Sequence, residues 1–202
     1  QLIVMPCILF ALTFHEYAHA RVAYYLGDYT AYYQDRMNLN PLSHLDPIGT
    51  MALYFLGFGW AKPVPVNMRN LSNPRKAMML IAIAGPASNI FLATIGSILL
   101  RFSMIAPFNI PELFNSAMIF FVFINIVLAL FNLIPIAPLD GSRILPLFIR
   151  DPRTLYQIEY YGPRVLMGLV LLSLVGGLSI FSVIIFEPAK LIFNLLTGIN
   201  LV

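Results

Sequence analysis

The chain has 202 residues, 59% of them hydrophobic and 10% charged, with a net charge of +3 and a mean hydropathy of +0.82. A soluble domain carries about a quarter charged residues, so this balance excludes a free globule and implies one polytopic membrane domain over residues 1–202. The positive charge is dispersed, without the dense Lys/Arg stripe of a nucleic-acid partner, and the single cysteine, Cys7, allows no internal disulfide and reads as packing.

Residues 2–26 form the first expected span, apolar except for His15, Glu16, His19 and Arg21. Residues i and i+4 of a helix share a face. In "HEYAH" His15 therefore stacks over His19 at a spacing that grips one metal ion, with Glu16 placed to act on a metal-activated water. This is the H-E-x-x-H arrangement, in which the glutamate is the general base of a metallohydrolase. Imidazole and carboxylate ligands, an open coordination position and no redox requirement point to zinc. Five-residue matches arise by chance in soluble proteins. Within a spanning helix titratable groups are costly and face a cavity or a partner, which weighs against chance here.

Residues 28–46 are too polar to span, and the rough alternation in "AYYQDRMNL" leads us to expect a short hairpin or an extended piece, with turns at "NPL" and "LDPIG". His44 has three readings: a loop histidine that bonds main chain and fixes this cap, a contact to substrate or water at the site mouth, or a fourth ligand. The uncharged stretch 47–60, with Gly49, Gly57 and Gly59, is a short, broken or re-entrant span. "GWAKPVPVN", 59–67, must be extended because Pro63 and Pro65 block a helix. Such a segment suits a sheet edge, and an unwound substrate can add to an edge as a strand. This places Val64 and Val66 against substrate and Trp60 at the membrane interface, although a lid that only excludes water is an equal reading.

The second expected span is 77–100. In its "AGPASN", Gly85 and Ala87 permit close approach, Pro86 kinks, and Asn89, one turn beyond Gly85, is expected to bond across to the His-Glu helix. The third span, 113–134, ends before Pro135 and Pro138. Asn132 within it needs partners, either across a helix contact or on a freed substrate backbone. A catalytic zinc takes three protein ligands and a water. His44 and a few acids remain for the third place, and Asp140 stands out because it directly follows the longest uncharged run, in "FNLIPIAPLDGSRI". A fourth span, 165–186, and a short C-terminal helix, 189–202, complete the chain. Lys62, Arg69, Arg75 and Lys76, and then Arg143, Arg150, Arg153 and Arg164, mark both flanking loops of the central hairpin as cytoplasmic. The fold expected is an all-α transmembrane helix bundle with a small extended or β-hairpin cap on the cytoplasmic side.

Together, "FHEYAHARVAYYLGD" at 14–28, "LNPLSHLDPIG" at 39–49, "GWAKPVPVN" at 59–67, "AGPASN" at 84–89 and "NLIPIAPLDG" at 132–141 resemble the site-2 protease family of intramembrane zinc metalloproteases, in its compact prokaryotic form without PDZ or CBS domains. HExxH alone is shared by many hydrolases, but its pairing with the distant N-x-x-P-x-x-x-L-D-G in an apolar chain is close to specific. The resemblance implies one zinc ion held by His15, His19 and Asp140, with Glu16 as catalytic base. It also implies a transmembrane protein substrate cleaved in or near its helix, while the polar stretch 28–46 and the positive loops point to a site in the cell membrane opening toward the cytoplasm. The competing readings are an inactive membrane scaffold or receptor and a transporter. The intact Glu16 weighs against the first, and the lack of an inverted counterpart to the HExxH segment weighs against the second.

Overall fold

The computed structural model describes residues 3–56, 59–107, 109–175 and 181–200. Parts of the expected segments 2–26, 47–60, 165–186 and 189–202 therefore lie outside the described residues.

The described chain is mostly helical. Helix α1 runs Val4–Tyr25, followed by the short turns α2, Thr30–Tyr33, and α3, Pro41–His44, and by α4, Pro47–Leu56. Helix α5 is Pro74–Ile105, α6 is Glu112–Asn132, α7 is Pro152–Val175 and α8 is Glu187–Thr197. A 3-10 turn, Asp140–Leu147, links α6 to α7, and a π turn, Ser182–Phe186, leads into α8. Among the described residues two helices, α5 with 32 residues and α6 with 21, are long and apolar enough to cross a membrane. At 1.5 Å per residue they measure about 48 and 31 Å, against a hydrocarbon core of roughly 30 Å.

The α5 sequence explains how the bundle closes. Ala77, Ile81, Gly85, Asn89, Ala93, Gly96 and Leu100 recur at helical spacing, and all are buried. Small residues on this stripe let α1 and α6 approach from either side, while Phe91, Ile98, Phe102 and Ile105 point outward. One apolar cluster joins Ala93 and Leu100 to Val122 and Ile126 of α6 and to Ala189 and Phe193 of α8. A second joins Ala23 of α1 to Ala77, Met78 and Ile81 of α5. Helix α6 ends at Asn132, before Pro135 and Pro138. The helix that carries the start of the expected 165–186 span begins well before it, at Pro152, because Asp151 accepts from the Thr154 main chain and hydroxyl and so caps the first turn.

The hairpin expected over 28–46 is replaced by the two helical turns α2 and α3. The alternation of "AYYQDRMNL" is overridden by local side-chain bonds. Asp28 accepts from the Thr30 amide and hydroxyl at 3.1 and 2.5 Å, and Asn40 caps the Leu42 amide at 3.1 Å with Pro41 in the first position. Residues 59–67 are extended, but among the described residues their strand pairing is limited to one isolated antiparallel bridge, Leu45 to Ala61. Pro63 and Pro65 offer no amide to a ladder, and the remaining groups go largely to side chains. Arg36 donates to the Lys62 and Pro63 carbonyls at 2.7 and 3.3 Å, the Val64 amide donates to Glu16 and the Asn67 amide donates to Asp28. The cap is therefore a strap tied down by polar side chains and not a sheet.

Asp28, almost fully buried, anchors that strap. Burial acts to raise its pKa. Hydrogen bonds from the Thr30 hydroxyl, the Asn70 amide and the main chain of Asn67 and Thr30 outweigh it, and the carboxyl lies below its ordinary value. The sign follows from that lowering. The stabilisation is complete above the ordinary carboxylate range near pH 4 and is lost as pH falls through the lowered pKa. Asp28→Ala is expected to cost about 2 kcal/mol above that range. The gap from the parent should shrink on acidification in a thermal melt of the detergent-solubilised protein, and a gap that is constant with pH would contradict the anchoring role.

Candidate metal centre

Helical spacing on α1 sets His15 and His19 on one side, with their Nε2 atoms 3.0 Å apart. Asp140, from the turn that follows α6, brings Oδ2 to 3.1 Å from His15 Nε2 and 3.2 Å from His19 Nε2. Gly141 makes this return possible. A Cβ there would run into the Leu133 and Ile134 carbonyls at the end of α6, so only glycine lets the chain fold back this tightly.

The other nitrogen of each imidazole decides what the cluster can hold. His19 Nδ1 lies 2.6 Å from the Ile81 carbonyl oxygen, which can only accept, so this nitrogen carries the proton. His15 Nδ1 lies 2.6 Å from Asn89 Oδ1 and donates to it. In both neutral rings Nε2 is then a bare lone pair. Two lone pairs and a carboxylate oxygen converge within 3.2 Å of one another in a buried place. Such an arrangement repels itself unless a cation sits at its centre. Asp140 Oδ2 is buried without a hydrogen-bond partner, as a ligand atom would be. Donors 2.0–2.1 Å from a tetrahedral ion such as zinc stand about 3.3 Å apart, so the observed triangle fits one such ion and leaves a fourth position open. Among the described residues this is the one group of three side chains able to hold a metal. The proton-bearing Nδ1 atoms have the outer partners that metal-ligating histidines use.

Gly85 of α5 completes the enclosure. A Cβ on it would stand 2.5 Å from His15 Nε2 and from His19 Nε2, so the helix backbone itself walls the site. Pro86 leaves the Ala82 carbonyl without its i+4 amide and disturbs the turn from which Ile81 offers its oxygen to His19.

Glu16 is buried next to this cluster, and its Oε2 accepts from the Val64 amide at 3.0 Å. Both line a cavity of about 520 Å³ bounded by α1, the strap, α5, the end of α6 with the turn that carries Asp140, and α7. Val66 lines the same cavity and packs on the α1–α5 cluster. Asn132 also faces the cavity, while its amide bonds the Leu128 carbonyl of its own helix at 3.0 Å and, among the described residues, crosses to no other helix. His44 is buried away from the cavity. Its Nε2 is 2.9 Å from the Asn38 carbonyl and its own carbonyl accepts from the Lys62 amide at 2.8 Å, so it ties α3 to the strap. Asn89 reaches α1 twice, at His15 and at the Ala11 carbonyl, and also meets Asn125 of α6 at 2.9 Å.

Sequence reasoning missed three contributors. The Ile81 carbonyl and the Val64 amide are main-chain groups with no sequence signal. Asn125 carried the same signal as Asn132, an amide inside an uncharged run.

Residues 108–173 match the family described as Peptidase family M50. The chain is 45% identical over 175 residues to "Putative zinc metalloprotease YwhC" of Bacillus subtilis (strain 168), covering 79% of this chain and 77% of that protein. It is 28% identical over 147 residues to "Putative zinc metalloprotease Rip2" of Mycolicibacterium smegmatis, covering 69% of this chain and 54% of the relative. A 75-residue stretch is 37% identical to "Putative zinc metalloprotease Rip3" of Mycobacterium tuberculosis, covering 18% of that protein. No solved structure matches the chain significantly.

The close wall at Gly85 gives a direct test of the cluster. Gly85→Ala is expected to abolish metal retention while helical content is kept. Gly168→Ala on α7, where a Cβ meets nothing within 4 Å, should retain metal like the parent. Metal content per protein by mass spectrometry distinguishes the two, and equal metal in both variants would contradict the placement of the site.

Proposed function

The chain belongs to peptidase family M50, the site-2 protease family, and we propose that it is a zinc-dependent endopeptidase that cuts membrane proteins within or beside their transmembrane helices. The observation that carries this reading is the convergence of two imidazole lone pairs and one carboxylate oxygen beside a buried glutamate, on the wall of a cavity in an apolar bundle. His15, His19 and Asp140 are the zinc ligands. Zinc bound there supplies Lewis-acid polarisation of the scissile carbonyl and of the attacking water.

The chain's own residues do the rest. Glu16 accepts the proton of the attacking water and returns it to the departing amine. The Val64 amide, bonded to one carboxylate oxygen, holds Glu16 in one orientation and leaves the other oxygen for that exchange. Asn132, at the cavity wall, offers its side-chain carbonyl to substrate main chain once the substrate helix has unwound. A helix keeps its amides in its own hydrogen bonds, so local unwinding precedes cleavage. The extended strap at Val64 and Val66 is the place where the freed backbone docks. His44 acts at a distance, by tying α3 to that strap.

The bundle as a whole is read as polytopic. Helices α5 and α6 cross the bilayer, with the outward Phe91, Ile98 and Phe102 against lipid. Helix α1 crosses beside them with its polar cluster turned inward, as ionisable groups at membrane depth must be. The charge of the arginine- and lysine-bearing loops supports a cytoplasmic side for the strap and the cavity mouth.

Glu16→Gln keeps the shape of the side chain and removes the base. Zinc content should equal that of the parent, while cleavage of a model membrane-spanning substrate falls by at least ~10²–10⁴. Near-parental cleavage would remove Glu16 from the mechanism. In the same variant, a photo-crosslinker at position 64 or 66 should capture the uncleaved substrate, and capture only from outward positions on α5 would rule out docking on the strap.

A further inference from the structure

We propose that Asn125, on α6, is a positioning residue that fixes the tautomer of His15 and so makes His15 able to bind metal. The proposal rests on the reading of His15 as a zinc ligand. Asn125 touches neither the ligand atoms nor the cavity.

Hydrogen-bond direction decides which nitrogen of His15 carries the proton. For His19 the tautomer is settled by a carbonyl, since Ile81 oxygen can only accept. His15 has no such guarantee. Its Nδ1 faces a side-chain amide, and an amide presents either an oxygen or an NH2 group. If Asn89 turned its NH2 toward His15, Nδ1 would have to accept, the proton would move to Nε2, and a metal ligand would be lost. The pairing therefore depends on what holds Asn89.

Two partners hold it. Asn89 Nδ2 donates to the Ala11 carbonyl at 3.3 Å and to Asn125 Oδ1 at 2.9 Å. Asn125 is itself oriented, because its Nδ2 donates to the Phe121 carbonyl of its own helix at 2.8 Å. The thread starts at a main-chain carbonyl that can only accept, and every later link inherits its direction. Phe121 takes the amide hydrogen of Asn125, which turns Oδ1 toward Asn89. This draws the Asn89 amide hydrogens, turns its oxygen to His15 Nδ1–H, and leaves the lone pair on His15 Nε2. Both asparagines are fully buried in an apolar interior. An unpaired amide there is costly, and no water competes for the links. The 3.3 Å bond to Ala11 is the long one, so the shorter bond to Asn125 carries most of the restraint.

The thread also joins the helices that build the site. It runs from α6, the helix that leads into Asp140, through α5 to α1. Removing it should disturb one ligand selectively, which a general packing role would not do.

With only three histidines in the chain, the imidazole nitrogens can be resolved by NMR of 15N-histidine-labelled protein. The zinc-free parent should show Nδ1–H for both His15 and His19. In Asn125→Leu, His15 should populate the Nε2–H form, His19 should keep its parental signal, and zinc affinity in a chelator competition should fall by about 10–100-fold. Asn89→Asp combined with Asn125→Leu supplies the rescue. The Ala11 carbonyl beside this position can only accept, so a protonated carboxyl gives its O–H to Ala11 and an ionised one has no donor; either way an oxygen is left for His15, and Nδ1–H and zinc affinity should return to near the parental level without Asn125. An unchanged His15 tautomer in a folded Asn125→Leu protein overturns the proposal. So does a double variant that lacks the Nδ1–H signal, whether or not the single variant folds. Failure of the parent to bind zinc, with the tautomers as described, counts instead against the ligand reading.

Discussion

Three electron-rich atoms crowded into one small triangle govern the rest of this structure. His15 Nε2, His19 Nε2 and Asp140 Oδ2 lie within 3.2 Å of one another and repel one another. An ion at the centre turns that repulsion into attraction, and in a low-dielectric interior the attraction is large. Several features of the fold hold the three atoms close. Consecutive turns of α1 supply two of them. A glycine at 141 lets the chain double back after α6 to supply the third, and a glycine at 85 lets a neighbouring helix close over the rings.

The polar groups around the centre follow from the same environment. A buried amide or carboxylate in an apolar bundle needs a partner, and here the partners are used to orient the site. Ile81 and Asn89 take the Nδ1 protons, Val64 takes one oxygen of Glu16, and Asp28 and Arg36 hold the strap that presents Val64. The proline-containing strap suits this role because its missing amides cannot recruit a sheet, and its remaining groups are free for side chains.

How much could be read from the sequence depended on whether the signal was local. His15 and His19 show themselves by i,i+4 spacing, which any helix converts into a shared face. Asp140 shows itself as a carboxylate set directly after a long uncharged run and before a glycine. Asn89 was legible through its one-turn distance from Gly85. The 28–46 part of the cap was misread, although 59–67 is extended as expected, because alternation in "AYYQDRMNL" mimics a strand, while Asp28 and Asn40, by bonding the next amides, favour helical turns at 30–33 and 41–44. The bond from Val64 to Glu16 and the one from His19 to Ile81 use main-chain atoms and leave no trace in residue identity. Asn125 was visible only as one amide among many apolar residues, and its link to Asn89 depends on how α5 and α6 pack.

The central claim is that two imidazoles and a carboxylate, and no sulfur, hold the ion. X-ray absorption at the zinc edge of the purified, zinc-loaded protein tests it most directly. The account predicts nitrogen and oxygen ligands at about 2.0–2.1 Å with outer-shell scattering from two imidazole rings. Scattering from a single ring, or a sulfur ligand near 2.3 Å with Cys7 the one cysteine able to supply it, would contradict it.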